Sequence, residues 1–164
     1  MPPHITPFMK SEEIDESALR NLVHFWWEAG CSGLVPCGSN GEAPYLTREE
    51  RRRVIQIVLE EVSNATPVIA GTGAPSTRET VELTKDAKDL GCTAALVVSP
   101  YYFRPSELEL LQHFGTILAS VDLPIVIYNV PKLTGYSIDP TVVGKLAKEH
   151  SGLIGVKDSS GSIG

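Results

Sequence analysis

The feature that most constrains the fold of this chain is a regular alternation of short apolar segments with longer amphipathic ones. The apolar segments predict six strands, at residues 4–8, 33–37, 67–71, 94–99, 124–128 and 153–157. The amphipathic segments predict helices, the first over residues 13–29. Capping residues mark the N-terminal ends of the later ones: Thr47 with Glu50, Ser76 with Glu79, Ser106 with Glu109, and Asp139 with Pro140. This alternation predicts parallel strands joined by right-handed crossovers, and therefore an α/β fold.

Two α/β architectures fit this order of elements: an open doubly wound sheet and a (β/α)8 barrel. A barrel has eight strands and typically about 250 residues, whereas this chain has 164 and its last predicted strand is the sixth. The barrel interpretation therefore predicts one incomplete domain over residues 1–164, truncated after strand 6 of 8. Because an unclosed barrel exposes strand edges and apolar interior, we expect a longer chain or a partner to close it.

Charge and composition exclude several classes of function. The net charge of −6 leaves no basic surface for nucleic acid, and Arg51–Arg53 lie among glutamates, where they predict a solvated helix face. The sequence has no apolar run of about 18 residues, so we expect no membrane span. The N-terminus lacks the basic segment followed by an apolar one that is typical of a secretion signal.

The cysteines and histidines do not predict a disulfide or a metal site. The three cysteines are odd in number and show no CxxC spacing, which indicates reduced thiols and a cytoplasmic protein: Cys31, Cys37 and Cys92. The four histidines have no neighbour at metal-ligand spacing and are interpreted as structural or solvated: His4, His24, His113 and His150.

Lys157 stands out, because in both architectures functional residues lie at the carboxyl ends of the strands. It is the only lysine that directly follows a strand-like segment, Leu153–Val156. A strand that is apolar throughout is usually covered on both faces, and burial lowers the pKa of a lysine so that its amine can attack a carbonyl carbon. Judged by position alone, a lysine that simply extends into solvent is an equally good interpretation.

The loops after the other strands carry weaker signals. Residues 38–42 form a small polar loop that suits a carboxylate or a phosphate, but such loops are also common as plain turns. Residues 71–74 predict a turn needed for close packing. The stiff aromatic loop at 100–105 predicts either a contact with another subunit or a catalytic tyrosine. Tyr128 at the end of strand five predicts a proton relay or a packed ring.

Five motifs occur in chain order, each after its predicted strand. They are GSNGE at 38–42, GTGA at 71–74, PYYFRPS at 100–106, YNVP at 128–131 followed by TG, and GVKD at 155–158. Together they resemble the dihydrodipicolinate synthase/N-acetylneuraminate lyase family of Schiff-base-forming class I pyruvate aldolases. The resemblance extends from Ile5 to Gly161 and implies a (β/α)8 TIM barrel and a lyase that needs neither a metal nor a dissociable cofactor.

The resemblance also implies catalytic roles. Lys157 would form the covalent imine with pyruvate, and Tyr128 would move protons during imine formation and carbon–carbon bond chemistry. Tyr102, the second tyrosine of PYYFRPS, would reach the site of a neighbouring subunit. That role implies a homodimer or, as is usual in the family, a homotetramer.

The carboxylate of pyruvate is assigned by the same resemblance to the loop after strand two. Ser39 and Asn40 would bind it with their side chains and, together with Gly38, through backbone N–H groups; Ser39 also takes the place of a catalytic hydroxyl. The sequence departs from the synthases at two points. It has Ser-Asn where they usually have Thr-Thr, and Leu133 where they have an arginine that binds the carboxylate of the aldehyde.

Two classes of function are therefore predicted. The first is a pyruvate aldolase with small-molecule substrates. It would be either similar to 4-hydroxy-tetrahydrodipicolinate synthase, which uses aspartate semialdehyde in lysine biosynthesis, or a 2-oxo acid aldolase such as 4-hydroxy-2-oxoglutarate aldolase, which Ser-Asn favours. The alternative is a non-catalytic remnant of the family that binds an oxo acid or a partner subunit.

Overall fold

A computed structural model describes residues 1–63 and 66–162 of the chain. The helices are α1 (Glu16–Glu28), α2 (Arg48–Glu61), α3 (Thr77–Leu90), α4 (Glu107–Ser120), the single turn α5 (Pro131–Thr134) and α6 (Pro140–Glu149). The strands are β1 (Ile69–Gly71), β2 (Ala94–Val98), β3 (Ile125–Asn129) and β4 (Leu153–Asp158). The described residues form two compact units: residues 1–63 and 66–71 with 86–94, and residues 72–85 with 95–162.

The four helix starts predicted from capping residues are confirmed, and only the start of α1 differs. The N–H of Thr47 donates to the Glu50 carboxylate over 2.7 Å, while the N–H of Glu50 donates to Thr47 Oγ1 over 3.2 Å. Ser106 and Glu109 make the same reciprocal pair at the start of α4. Helix α1 begins at Glu16, three residues later than predicted, because the carboxylate of Asp15 accepts the N–H of Ala18 over 2.9 Å and caps it there.

In the first unit, short extended segments pair in parallel. Pro3 pairs with Val35, and Leu34 pairs with Val68, each through a single bridge. Past the second bridge, the N–H of Gly71 donates to the carbonyl oxygen of Pro36 over 2.8 Å. The predicted strand at 33–37 is therefore reduced to single bridges. Within the predicted strand at 4–8, the bridge that is described joins Phe8 to Ile14 and is antiparallel. Prolines within and beside these segments lack the N–H that a continuous ladder requires.

The prediction that Arg51–Arg53 form a solvated helix face is wrong for Arg51, whereas the side chains of Arg52 and Arg53 are 42% and 35% exposed. Arg51 is only 5% exposed. The guanidinium of Arg48 binds the carboxylate of Asp86 with two hydrogen bonds, of 2.5 and 2.9 Å, and Arg52 adds a third of 2.5 Å. Burial by itself would raise the pKa of Asp86, but these arginines hold that pKa below its ordinary value. Arg51 therefore belongs to the packing of this unit, and Arg52 is bound to it through Asp86.

In the second unit, β2, β3 and β4 lie side by side and are all parallel. Its core includes Phe114, Ile117, Ile125, Ile127 and Leu146, all of which are almost fully buried. Strand β4 does not match the prediction of a strand covered on both faces. Its residues alternate between half-buried and exposed, and Ile154 and Val156 are 59% and 45% exposed.

The predicted close-packed turn at residues 71–74 is confirmed by what a side chain would meet there. A Cβ atom on Gly71 would lie 1.9 Å from the carbonyl oxygen of Cys37, within the first unit. A Cβ atom on Gly73 would lie 2.5 Å from Cγ1 of Val98, within the second unit. These two glycines are required because the backbone passes too close to its neighbours for any larger residue.

Candidate active site

Lys157 and Tyr128 lie together at the carboxyl ends of two neighbouring parallel strands. They are paired in register across β3 and β4. The side-chain nitrogen of Lys157, Nζ, lies 4.0 Å from the centroid of the Tyr128 ring. Tyr128 is buried, with 7% of its surface exposed, whereas Lys157 is half-buried and accessible from solvent. The arrangement places a primary amine that a small carbonyl compound can reach directly against a phenol.

A second pair follows one residue further along each strand. The Asn129 side-chain amide donates to Oδ1 of Asp158 over 2.8 Å, and its oxygen accepts the N–H of Ile138 over 3.0 Å. Hydrogen bonds from Ser160 are the main reason that the pKa of Asp158 lies below its ordinary value. The sequence predictions missed this pair. The available signal was that each residue directly follows a candidate site residue at a strand end.

Tyr102 lies on the loop after β2 and faces solvent. It is 87% exposed and adopts a φ of +81°, in the left-handed region that non-glycine residues rarely occupy. Its ring meets the ring of Phe103 edge to face, with centroids 4.9 Å apart. Among the residues that the structure describes, it makes no hydrogen bond or ring contact with Tyr128 or Lys157. The prediction that Tyr102 acts in the site of a neighbouring subunit is compatible with this exposure.

The aromatic loop rests over a cleft of about 480 Å³ lined by Pro75, Thr77, Pro100–Pro105, Glu109 and His113. His113 is 4% exposed, and its Nδ1 lies 2.9 Å from Oγ1 of Thr77. Burial lowers the pKa of His113 to about 4, so the imidazole is neutral at ordinary pH. The Tyr136 hydroxyl donates to the carbonyl oxygen of Pro100 over 2.7 Å and fixes the start of the loop.

Gly38, Ser39 and Asn40 lie in the first unit. Gly38 is buried, and Ser39 and Asn40 are exposed in a single 3₁₀ turn, Ser39–Gly41. The hydroxyl of Thr6 donates to the carbonyl oxygen of Gly41 over 2.8 Å and anchors the turn. The Asn40 amide makes a long hydrogen bond of 3.4 Å to the carbonyl oxygen of Pro3. The turn thus presents a hydroxyl and an amide to solvent, and both can donate to an anion.

Leu133 and Cys37 lie in opposite environments, one exposed and the other buried. Leu133 is 59% exposed on the turn α5, beside exposed Lys132. Cys37 is buried, its thiol lies 3.7 Å from the carbonyl oxygen of Arg51, and burial raises its pKa to about 12. A thiol with such a pKa is a poor nucleophile.

Within residues 1–63 and 66–162, no three histidine, cysteine, aspartate or glutamate side chains come together as a group that could hold a metal ion. None of the helices in this part of the chain is long and apolar enough to cross a membrane.

The whole sequence is similar to one known protein family. The model of the dihydrodipicolinate synthetase family matches residues 1–164. The 4-hydroxy-tetrahydrodipicolinate synthase of Syntrophus aciditrophicus is 48% identical over 97% of this chain and 54% of its own length. The corresponding enzyme of Methanothrix thermoacetophila is 45% identical over 99% of the chain and 54% of its own length. The chain therefore spans about half the length of the curated relatives it matches.

Solved structures agree with the sequence comparisons. The dihydrodipicolinate synthase of Acinetobacter baumannii, determined in complex with pyruvate, superposes with a TM-score of 0.95. It is 42% identical, and the match covers 98% of this chain and 55% of that one. The predicted parallel α/β barrel fold is therefore confirmed over the part of the barrel that this chain contains.

Proposed function

The chain belongs to the dihydrodipicolinate synthetase family, and from that membership we propose that it carries the Schiff-base centre of a pyruvate-dependent carbon–carbon lyase. The observation that carries the proposal is the position of Lys157 Nζ, 4.0 Å from the Tyr128 ring at adjacent strand ends. Pyruvate is supported as the first substrate by the structural relative that was determined with pyruvate bound.

In the proposed reaction, the neutral amine of Lys157 attacks the ketone carbon of pyruvate to give a carbinolamine. Its hydroxyl group takes up a proton, delivered through Tyr128, and leaves as water, which yields a cationic imine. The imine accepts the electron pair released when the pyruvate methyl group loses a proton. The resulting enamine attacks an aldehyde, and hydrolysis of the imine regenerates the lysine. Tyr128 would carry protons between these steps. The covalent imine does the work of a cofactor, so the proposal requires neither a dissociable cofactor nor a metal.

The carboxylate of pyruvate needs hydrogen-bond donors, and we assign this role to Ser39, Asn40 and Gly38. The exposed hydroxyl and amide of Ser39 and Asn40 support the assignment, as does the match of this turn to the family's loop. Substitution of Ser39 by alanine should raise the KM for pyruvate, because a donor to the carboxylate is lost. An unchanged KM would contradict the assignment.

The proposed assembly is a homodimer or homotetramer in which Tyr102 acts in the site of a neighbouring copy. The exposure of its ring and its strained backbone support this role. A mixture of Lys157→Arg and Tyr102→Phe proteins tests it. In mixed assemblies, one copy supplies the lysine and the other supplies the tyrosine, so activity should exceed that of either variant alone. A mixture no more active than its parts would count against action between copies.

The aldehyde is proposed to be aspartate semialdehyde, in a cytoplasmic step of lysine biosynthesis. The curated relatives named 4-hydroxy-tetrahydrodipicolinate synthase support this substrate. Exposed Leu133 favours the second candidate, a 2-oxo acid aldolase such as one acting on 4-hydroxy-2-oxoglutarate, because leucine cannot bind a carboxylate. Assays with both substrates, on the native protein and on Leu133→Arg, separate the two. If Leu133 excludes the semialdehyde, the arginine variant should gain activity with it.

The central experiment is reductive trapping. Incubation with pyruvate and borohydride should attach one reduced pyruvate to Lys157, as located by peptide mass spectrometry. Lys157→Arg, which keeps the charge but cannot form an imine, should remain unmodified. The control is Lys148→Arg on the exposed surface of α6, which should be trapped like the native protein. Pyruvate binding without an adduct would instead support a non-catalytic member of the family.

A further inference from the structure

The register between β3 and β4 shifts by one residue before it reaches the site. Ile125 pairs with Leu153, but the next residue, Val126, pairs with Gly155, so Ile154 is passed over. Continued without the shift, the first pairing would set Tyr128 opposite Val156 and leave Lys157 one position beyond it. The shift is therefore what brings the amine opposite the phenol. A one-residue change of register moves every following side chain to a different partner.

Asn129 is hydrogen-bonded at the end of the shifted register. It is paired with Asp158, directly after the pair of Tyr128 with Lys157. Three of its groups are engaged: its amide donates to Asp158 over 2.8 Å, its side-chain oxygen accepts the N–H of Ile138, and its backbone carbonyl accepts the N–H of Ser159 over 2.9 Å. Asn129 is 8% exposed, so a side-chain amide left without these partners would be costly.

The bond between Asn129 and Asp158 is specific to the shifted register. Only that register pairs Asn129 with Asp158, since the unshifted one would set Asn129 opposite Lys157. The side-chain bond therefore distinguishes the shifted register from the unshifted one.

We propose that Asn129 is a positioning residue that, through Asp158, sets Lys157 opposite Tyr128. The inference rests on the proposed role of Lys157 as the imine-forming amine. It adds that the rate of imine formation depends on a hydrogen bond made by neither reacting group.

The test uses Asn129→Ala, Asp158→Ala, the single exchange Asn129→Asp and the double exchange Asn129→Asp with Asp158→Asn. The alanine variants lose the bond, and Asn129→Asp places two carboxylates together. The double exchange restores one donor and one acceptor with their places reversed, and the carboxylate introduced at position 129 can still accept the N–H of Ile138. Asn21→Ala on the exposed surface of α1 is the matched control.

The first measurement is the rate of borohydride trapping with saturating pyruvate. The three variants without the bond should be on the order of 10- to 100-fold slower than the native protein, as expected for a misplaced reacting group. The double exchange should recover most of that rate, and Asn21→Ala should equal the native protein. Loss of rate in the double exchange equal to that in the single variants would overturn the proposal, as would native rates throughout.

The second measurement does not depend on pyruvate. Competitive labelling with a small amine reagent compares the reactivity of Lys157 with that of exposed Lys10 in each variant. The reactivity ratio should change in the single variants and return in the double exchange. If the native protein forms no imine, the proposed function fails, yet the labelling ratio still tests the position of Lys157. A ratio that is the same in every folded variant would overturn the inference itself.

Discussion

The loop after β2 and the paired ends of β3 and β4 both carry a tyrosine assigned to the same reaction, yet they are built in opposite ways. Tyr128 is buried, paired in a ladder and in contact with Lys157. Tyr102 is exposed and strained, and it contacts its own neighbour Phe103. The strand ends are preorganised by hydrogen bonds within the chain, whereas the loop presents its aromatic rings outward.

This difference separates two kinds of site residue. A residue preorganised by its own chain, such as Tyr128, should act wherever the chain is folded. A strained and exposed residue such as Tyr102 is not stabilised by burial in the chain's own core. The free-energy cost of its backbone conformation must be offset by contacts that it makes elsewhere. We therefore expect substitutions at the strand ends to affect chemistry, and substitutions in the loop to affect stability and assembly as well.

The largest effect is expected from Tyr128→Phe. The variant keeps the ring that lies against Lys157 but removes the hydroxyl, so the fold should persist while imine trapping slows by about 10²- to 10⁴-fold, the usual contribution of a positioned acid–base group. Trapping kinetics measure this. Tyr45→Phe, at an exposed tyrosine of the first unit, is the control. A loss of only a few-fold would show that Tyr128 is a packing residue.

A smaller effect is expected from the histidine beneath the loop. The pKa of His113 is lowered from 6.5 to about 4 by burial, so between these pH values the unfolded chain binds a proton that the folded chain does not. Above pH 6.5 the imidazole is neutral in both states, so the full free energy of unfolding is present. As the pH falls from 6.5 toward 4, the free energy of unfolding decreases by about 3 kcal/mol in total.

Urea unfolding of the native protein and of His113→Gln, from pH 7 to pH 4, isolates that contribution. The free energy of unfolding of the native protein should fall more steeply than that of the variant. His150→Gln, at a half-buried imidazole that follows α6 in the same unit, controls for the loss of a histidine. If the free energy of unfolding changed with pH in the same way for the native protein and for His113→Gln, His113 would not be the source of the pH dependence.

The smallest effect is expected at Tyr102 itself. Glycine removes the strain of φ +81°, so Tyr102→Gly should stabilise the chain by up to about 1 kcal/mol in spite of the entropy that glycine adds to the unfolded state. Phe103→Gly, at the adjacent exposed aromatic residue without a positive φ, should instead destabilise by about 0.5–1 kcal/mol. Thermal unfolding compares the two. Equal destabilisation would mean that the loop stores no strain.

Local patterns predicted much of the fold. The capping boxes at Thr47 and Ser106 and the alternation of helices with β1–β4 follow from interactions between residues close in sequence, and the structure confirms them. The strands predicted at 4–8 and 33–37 are only single bridges. The motifs also pointed to Lys157 and Tyr128, which the structure brings together. The burial of Arg51 was mispredicted, because its surroundings come from residues far along the chain, and a run of charges looks the same in sequence whether it is solvated or packed.

What the sequence by itself determined is therefore the set of elements and the chemically capable residues at their ends, since propensity, capping and periodicity act over a few neighbours. Only the tertiary structure decided that Lys157, and not Val156, lies opposite Tyr128, and that Asn129 and Asp158 hold it there. Strand register is a relation between segments about 30 residues apart, set by a ladder, its shift and long-range hydrogen bonds that no local pattern encodes.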